Sequence, residues 1–288
     1  MANNTREIRR RIKSVKSTAQ ITKAMQMVAS SKMRKAQQAA LASRPFANQL
    51  HRLLVGIRGS TSSQAHPLLQ ERELKKELVL VISTDKGLCG PLNTNLFREL
   101  LRFDPAQTDF VVLGNKARQT LMRLQRNIVA DFPLKDSPSF REVRQISKHL
   151  QEAFLNGRCD KVTVLYTHFK NTLSQIPTVT TLLPISSAQL PGADEAELEA
   201  DGVQEYLFEP GRDQILSSLL PHYVDFIVYG LVLDARASEH SARMVAMKNA
   251  TDNAKELIKS LTLEYNKVRQ ASITAEILEI SSAQMAME

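Results

Sequence analysis

Residues 8–40 read IRRRIKSVKSTAQITKAMQMVASSKMRKAQQAA and contain neither glycine nor proline. Apolar or small residues recur here at alternating steps of four and three, the heptad spacing of a helix that packs along a partner helix. The predicted seam positions are Ile8, Ile12, Val15, Ala19, Thr22, Gln26, Ala29, Met33, Ala36 and Ala40. Small seam residues bury little apolar area, so we expect this helix to need contacts beyond one partner helix.

The C-terminal segment repeats this spacing. Its predicted seam consists of Ala250, Ala254, Leu257, Leu261, Glu264, Val268, Ala271, Ala275 and Leu278. No proline follows Pro221 and no glycine follows Gly230, so one uninterrupted helix can occupy the whole segment. Both ends are long and weakly apolar, and pairing them as an antiparallel coiled coil accommodates both.

Between the two ends the pattern changes to strands that alternate with helices. Strands are predicted at 77–83, 109–114, 161–169 and 178–185, and helices at 92–103, 116–127 and 141–156. Such alternation predicts a mostly parallel, Rossmann-like sheet. The predicted fold is therefore α/β, a long antiparallel coiled coil of N- and C-terminal helices with an inserted Rossmann-like domain.

The predicted domain boundaries follow these pattern changes. They are 1–58 for the first helix, 59–76 for a linker, 77–210 for the α/β domain with an acidic loop at 186–205, and 211–288 for the second helix.

Charge is concentrated at the N-terminus. The 288-residue chain has a net charge of +8, whereas residues 1–35 alone carry ten basic side chains and one acidic one. A uniformly basic protein is thereby excluded, and 43% hydrophobic residues exclude a disordered polymer. The basic helix could bind nucleic acid by neutralising phosphates or could face an acidic protein, and composition does not choose between them.

The segment 84–93, TDKGLCGPLN, links a strand to a helix, where many α/β proteins bind phosphate. It matches neither the P-loop nor the dinucleotide fingerprint, so we expect its glycines to serve a tight turn and Asn93 or Thr94 to cap the helix. Cys89 could be a nucleophile at a helix N-terminus, but the six histidines are scattered without triad or metal-site spacing. No catalytic residue, metal site or cofactor is predicted.

Two cysteines are too few for a disulfide framework, which favours a reducing compartment. The apolar runs fall far short of the roughly 18 residues of a bilayer span. The N-terminus has neither a secretory signal nor a transit segment, so Met1 is interpreted as the native start.

Three regions resemble one protein family. Residues 21–36, ITKAMQMVASSKMRKA, resemble the N-terminal helix of the gamma subunits of F-type ATP synthases. Residues 238–253, SEHSARMVAMKNATDN, and 265–274, YNKVRQASIT, are similar to that family's C-terminal helix, and 87–95, GLCGPLNTN, to its first strand-to-helix turn. The regions occur in the family's order and extend over essentially the whole chain. Pro91, Ala275 and the tail 281–288 depart from the family pattern.

The resemblance implies a non-catalytic central rotor shaft. Such a shaft couples ion flow through the membrane c ring to conformational cycling of the catalytic beta subunits, for ATP synthesis or hydrolysis. The implied partners are the hexameric ring of alpha and beta subunits, the epsilon subunit and the c ring, with no nucleic acid. The implied location is peripheral, on the cytoplasmic face of a bacterial inner membrane.

The resemblance also implies contact residues at the matching positions. Contacts with the catch region of beta are expected at Arg243, Arg269, Gln270 and Thr274, contacts with the acidic loop of beta at Lys23, Met25 and Lys32, and contacts of the foot with the c ring and epsilon at Tyr206 and Glu209. Two alternatives stay open: a nucleic-acid-binding protein that uses the basic helix, and a nucleotide-using enzyme built on the central domain.

Overall fold

The computed structural model describes residues 2–58, 66–133, 135–185 and 212–285. The predicted acidic loop, Tyr206 and Glu209 lie outside the described residues, as does part of the predicted linker. The chain divides into two compact units. The first unit comprises Met1–Ala29 and Met244–Glu288, and the second comprises Ser30–Arg243.

The first unit consists of parts of two long helices, α1 (Ala2–Arg58) and α5 (Arg212–Met285). The Thr22 and Thr251 hydroxyl oxygens lie 2.7 Å apart, and the Arg9 guanidinium lies 5.9 Å from the centre of the Tyr265 ring. A lower residue number on α1 thus meets a higher one on α5, so the helices are antiparallel. The predicted antiparallel coiled coil is confirmed.

The predicted seam of α1 is confirmed throughout, because all ten positions are buried or half-buried. The predicted seam of α5 is wrong at alternate positions. Ala254, Leu261, Val268 and Ala275 do lie in it, and Ala250 is half-buried, but Leu257, Glu264, Ala271 and Leu278 are exposed. Ile258, Tyr265 and Ser272 take the places of the first three of these, and Thr251, next to Ala250, is buried. Because α5 carries bulky apolar residues on two sides, heptad spacing can be traced along either side. The side that packs against α1 brings Thr251 to Thr22 and Tyr265 to Arg9.

The second unit contains a five-stranded sheet flanked by helices. Its elements are a short 3₁₀ helix (Pro67–Leu69), β1 (Glu77–Ile82), α2 (Leu92–Leu100), β2 (Thr108–Leu113), α3 (Asn115–Arg123), β3 (Ile128–Phe132), α4 (Phe140–Leu155), β4 (Lys161–Phe169) and β5 (Gln175–Leu183). The spatial order is β3-β2-β1-β4-β5, with β1 to β4 parallel and β5 antiparallel to β4. This confirms the mostly parallel, Rossmann-like sheet.

Three elements have boundaries that differ from the predictions by two residues or more. The predicted helix at 92–103 ends at Leu100, and the one at 116–127 ends at Arg123, because Gln125 adopts a left-handed φ of 54° that no α-helix continues. After this turn the chain forms β3 (Ile128–Phe132), an edge strand that was not predicted from the sequence. The last strand begins at Gln175 and ends at Leu183, rather than spanning 178–185.

Side chains alternate along the strands and build a core on each face of the sheet. On β1, Leu78, Leu80 and Ile82 face a cluster shared with α4 and α5, and Val79 and Val81 face a cluster shared with α2 and α3. Helices on both faces give the three-layer arrangement typical of parallel sheets. On α5, apolar residues from Tyr223 to Ala235 pack in the first cluster, so this helix is part of the second unit's core.

The carboxyl ends of β1 and β2 are joined tightly. The Ser83 amide donates to Leu113 O at 2.8 Å, and the Ser83 hydroxyl accepts from the Ala117 amide at 2.9 Å. Gly114 has a φ of +100°, and a Cβ there would lie 2.4 Å from Ser83 O, so only glycine fits. This edge therefore positions the turn that follows β1.

Candidate functional site

The outer side of the first unit carries many exposed aliphatic side chains. We call nine of them, each more than 45% exposed, the outer apolar surface: Ile21, Met27, Val28, Leu257, Leu263, Ile273, Ile277, Leu278 and Ile280. Burial of these side chains against another protein would be favourable, because it removes their apolar area from water. The surface is thus suited to an enclosing protein partner.

Gln270 and Thr274 lie within this surface. At about 100° per residue, Gln270 is turned about 200° away from the seam residue Val268, so it faces outward. Arg269, Gln270 and Thr274 are all exposed. The Thr274 hydroxyl donates to Gln270 O at 3.0 Å on its own helix, which leaves its lone pairs to accept a bond. The structure therefore leaves these three predicted contact residues exposed on one stretch of α5, next to the exposed Ile273 and Ile277.

Lys23 and Met25 lie on α1 in the same unit. Lys23 is exposed, and Met25 is half-buried beside the seam. Between residues 5 and 29, all seven basic side chains are exposed, against a single acidic one, Glu7, which pairs with Arg11 at 2.7 Å. This face of α1 fits a partner that carries carboxylates.

Lys32 belongs to the second unit and already has a carboxylate partner there. Its ammonium lies 2.5 Å from the carboxylate of Asp136. That hydrogen bond is the main cause of the lowered pKa of Asp136. The structure therefore does not group Lys32 with Lys23 and Met25.

Arg243 also bonds within the second unit. Its side chain is only 12% exposed, and its guanidinium donates to Lys86 O at 3.2 Å and Gly87 O at 3.3 Å. The same guanidinium lies 2.8 Å from Glu239 Oε1. Arg243 thus holds the turn after β1, and its predicted contact with beta remains a prediction.

Glu239 extends this contact into a buried network. Its other oxygen lies 2.6 Å from Arg236 Nη1, and Arg236 Nη2 lies 3.4 Å from the Asp85 carboxylate. We call Arg236, Glu239, Arg243 and Asp85 the ionic quartet. Sequence reasoning missed three of its members, although Arg236, Glu239 and Arg243 stand at i, i+3 and i+7, the spacing of one helix face.

The turn after β1 has the backbone of a tight turn but no capping side chain. Gly90 has a φ of +60°, as the tight-turn prediction requires. The predicted caps are wrong: Pro91 is the N-cap residue of α2, and no side chain bonds there. Asn93 instead donates to the Thr84 hydroxyl at 2.8 Å across the turn. Burial raises the pKa of the Cys89 thiol, the opposite of what a nucleophile needs.

The place where an open parallel sheet binds ligands is covered by α5. In such sheets the ligand crevice lies beyond the carboxyl ends of the two strands where the strand order reverses, here β1 and β4. Asp234 of α5 accepts a hydrogen bond from the Phe169 amide at 3.1 Å, at the end of β4. Arg236 reaches Asp85, just beyond β1. These contacts occupy the crevice and argue against a nucleotide-using enzyme built on this domain.

Across the described ranges, every helix lacks the length of apolar sequence that crossing a bilayer requires.

Comparisons with known proteins agree over the length of the chain. The ATP synthase family model matches residues 4–287. The ATP synthase gamma chain of Methylacidiphilum infernorum is 50% identical over 289 residues, which cover 98% of this chain and 99% of that protein. The gamma chain of Opitutus terrae is 48% identical over 292 residues, with 98% of each protein covered.

Solved structures show the same fold. A chain from the central stalk and c-ring of the Tetrahymena thermophila mitochondrial ATP synthase aligns with a TM-score of 0.60 at 27% identity, covering 80% of this chain and 99% of that one. A chain of the Euglena gracilis mitochondrial ATP synthase aligns with a TM-score of 0.69 at 21% identity, covering 100% and 95%. The Euglena likeness concerns the fold alone.

Proposed function

This chain belongs to the gamma-chain family of ATP synthases, and on that premise we propose that it is the central rotor shaft of an F-type enzyme. The shaft catalyses no reaction itself. Its rotation couples ion flow through a membrane c ring to conformational cycling of the catalytic beta subunits. Rotation shifts those conformations only if different faces of the shaft contact beta differently.

The observation that carries the proposal is the unequal charge of the two helices in the first unit. Residues 5–29 of α1 carry seven basic side chains and one acidic one, whereas residues 244–285 of α5 carry five of each. Each beta subunit would therefore meet a basic face or a neutral face as the shaft turns. The outer apolar surface adds the contact area that an enclosing ring of alpha and beta subunits would bury.

The proposal assigns roles to particular side chains. Arg269, Gln270 and Thr274 would bond the catch region of beta, and Lys23 and Met25 would face its acidic loop. For Lys32, the contact with the acidic loop requires its ammonium to exchange Asp136 for a carboxylate of beta. Arg243 would keep its bond to Glu239 and contact the catch region through the remaining N–H donors of its guanidinium.

The proposal extends to the remaining partners and to the location. Tyr206 and Glu209 would contact the c ring and the epsilon subunit. The chain would be a peripheral subunit on the cytoplasmic face of a bacterial inner membrane.

The test compares two glutamines in a reconstituted complex. Gln270→Ala removes an exposed amide from the outer face of α5, and the matched control Gln119→Ala removes one from α3 in the other unit. With alpha and beta subunits, we expect Gln270→Ala to slow ATP turnover at least about fivefold, because an unpaired polar group at a buried contact costs about 1–3 kcal/mol. The control should turn over like the unaltered chain. Failure of this chain to assemble with alpha and beta, or equal turnover for both variants, would refute the proposal.

A further inference from the structure

We propose that the ionic quartet is a rotational lock, which fixes the angle of α5 about its own axis against the sheet of the second unit. This inference rests on the proposed function, because a shaft must pass torque between its α/β domain and its long helix. It concerns Arg236, Glu239 and Asp85, which have been given no role so far, as well as Arg243.

Apolar packing alone is poorly suited to resist rotation of a helix. Tyr223, Val224, Ile227, Val228 and Leu231 of α5 are almost fully buried in the core of the second unit. Burial of apolar area is non-directional, so these contacts oppose separation of helix and sheet more strongly than a small turn of the helix. A torque-bearing joint needs directional contacts as well.

The quartet supplies directional contacts in a buried place. The side chains of Arg236, Glu239 and Arg243 are 3%, 5% and 12% exposed. Two guanidinium groups and two carboxylates balance each other's charge, and Glu239 bonds one arginine through each of its oxygens. A rotation of α5 that separated these groups would leave buried charges without partners. Such a rotation is therefore strongly disfavoured.

The contacts hold α5 from two sides. At about 100° per residue, Asp234 and Arg236 point about 200° apart around the helix. Asp234 bonds the end of β4, through the Phe169 amide at 3.1 Å, and Arg236 reaches Asp85 beyond the end of β1. One segment of α5 thus bonds to the ends of two adjacent central strands. Rotation of the helix in either direction must lengthen one of these two contacts.

The lock is tested in membrane vesicles that carry the assembled enzyme, by measuring ion uptake per ATP hydrolysed. Glu239→Gln keeps the shape of the side chain but removes the charge shared by both arginines. Glu239→Gln with Arg236→Met restores charge balance without restoring the bridge. The control is Glu99→Gln, which removes a carboxylate from an ion pair with the exposed Arg102 in the same unit.

We expect both quartet variants to lower ion uptake per ATP by about tenfold or more, while the control stays at the unaltered value. The melting temperature should fall in Glu239→Gln and recover in part in the double variant, because the almost fully buried guanidinium of Arg236 is then no longer left without Glu239. The lock is supported if ion uptake per ATP stays low in the double variant although its melting temperature rises again. The lock is overturned if ion uptake per ATP recovers together with the melting temperature, or if it never changes.

Hydrogen exchange of the full chain tests the lock without requiring assembly with the other subunits. Amides of residues 84–92 should exchange faster in the double variant than in the unaltered chain, and unchanged exchange there would overturn the lock even if Glu239→Gln fails to fold. Absence of ion uptake with the unaltered chain would count against the proposed function instead, and the exchange measurement would still decide the lock.

Discussion

The buried hydroxyl pair of the first unit allows the pairing of the terminal helices to be measured as an energy. Thr22 and Thr251 are both buried, and their hydroxyl oxygens are 2.7 Å apart. Replacing either by valine keeps the shape and removes one hydroxyl. The remaining hydroxyl keeps an acceptor on its own helix, since Thr251 reaches Met247 O at 2.8 Å and Thr22 reaches Ala19 O at 3.1 Å.

Each single substitution removes the bond between the helices, which contributes about 0.5–1.5 kcal/mol net, together with the bond that the replaced hydroxyl made on its own helix. The double substitution removes both own-helix bonds but the bond between the helices only once, so its effect is smaller than the sum of the two single effects. The double-mutant cycle thus predicts a coupling of about 1 kcal/mol between two residues that are 229 positions apart in the sequence.

Native-state hydrogen exchange of the full chain provides the assay, through the opening free energies of seam amides around Ala29 and Ala254. The matched control is Thr262→Val, an exposed position of α5 whose hydroxyl donates to Ile258 O on its own helix. It should change those free energies by less than about 0.5 kcal/mol. Effects of Thr22→Val and Thr251→Val that add within about 0.3 kcal/mol would refute the pairing geometry.

Three further predictions concern the second unit. In urea denaturation, Gly114→Ala should destabilise it by about 3 kcal/mol, because its Cβ meets Ser83 O, whereas Gly87→Ala, which has open space, should stay within about 1 kcal/mol; similar values would contradict this account. The Lys135 hydrogen bond and the helix cap lower the pKa of Glu142 to about 2, so its stabilising contribution is complete above pH 4.5 and lost as the pH falls toward 2. Thermal melts should show a flatter acid limb for Glu142→Gln, and identical limbs would count against the assignment. Burial raises the pKa of Cys159 to about 12, so iodoacetamide at pH 8 should modify it far more slowly in the folded chain than in denaturant, and equal rates would be inconsistent with its burial.

Heptad periodicity alone predicts the packed face of α1 but not that of α5. In α1, small and apolar residues recur at heptad spacing from Ile8 to Ala40, whereas the exposed Ile21, Met27 and Val28 form no run of comparable length, so the sequence favours a single seam. In α5, Leu257 and Ile258 both fit a heptad, and only the contacts of Thr251 and Tyr265 with α1 select the second. The choice is a tertiary one that a single sequence does not contain.

Among the strands too, some could be predicted from the sequence and one could not. β1, β2 and β4 are rich in apolar and β-branched residues because they are buried on both faces, which makes them easy to predict. β3 is short, alternates in exposure and follows a helix whose end depends on the backbone of Gln125, so its sequence gives a weak signal. Its position at the edge of the sheet explains that weakness.

The sequence drew attention to exposed residues of the candidate site and not to buried ones. Arg269, Gln270 and Thr274 lie in a quoted motif and face outward, as a contact surface requires. Arg236 and Glu239 have the composition of an ordinary solvated helix face, and only the packing of α5 against the turn after β1 buries them. Buried charges acquire partners through the fold, so their pairing follows from the topology.

Single-molecule rotation of the assembled enzyme tests the rotor assignment. Leu173 is 84% exposed at the β4–β5 hairpin, and Cys89 and Cys159 are buried, so Leu173→Cys provides an accessible thiol for a probe. With the ring of alpha and beta subunits fixed to a surface, the account predicts that added ATP turns the probe stepwise in one direction. A stationary probe during ATP hydrolysis at the normal rate would contradict it.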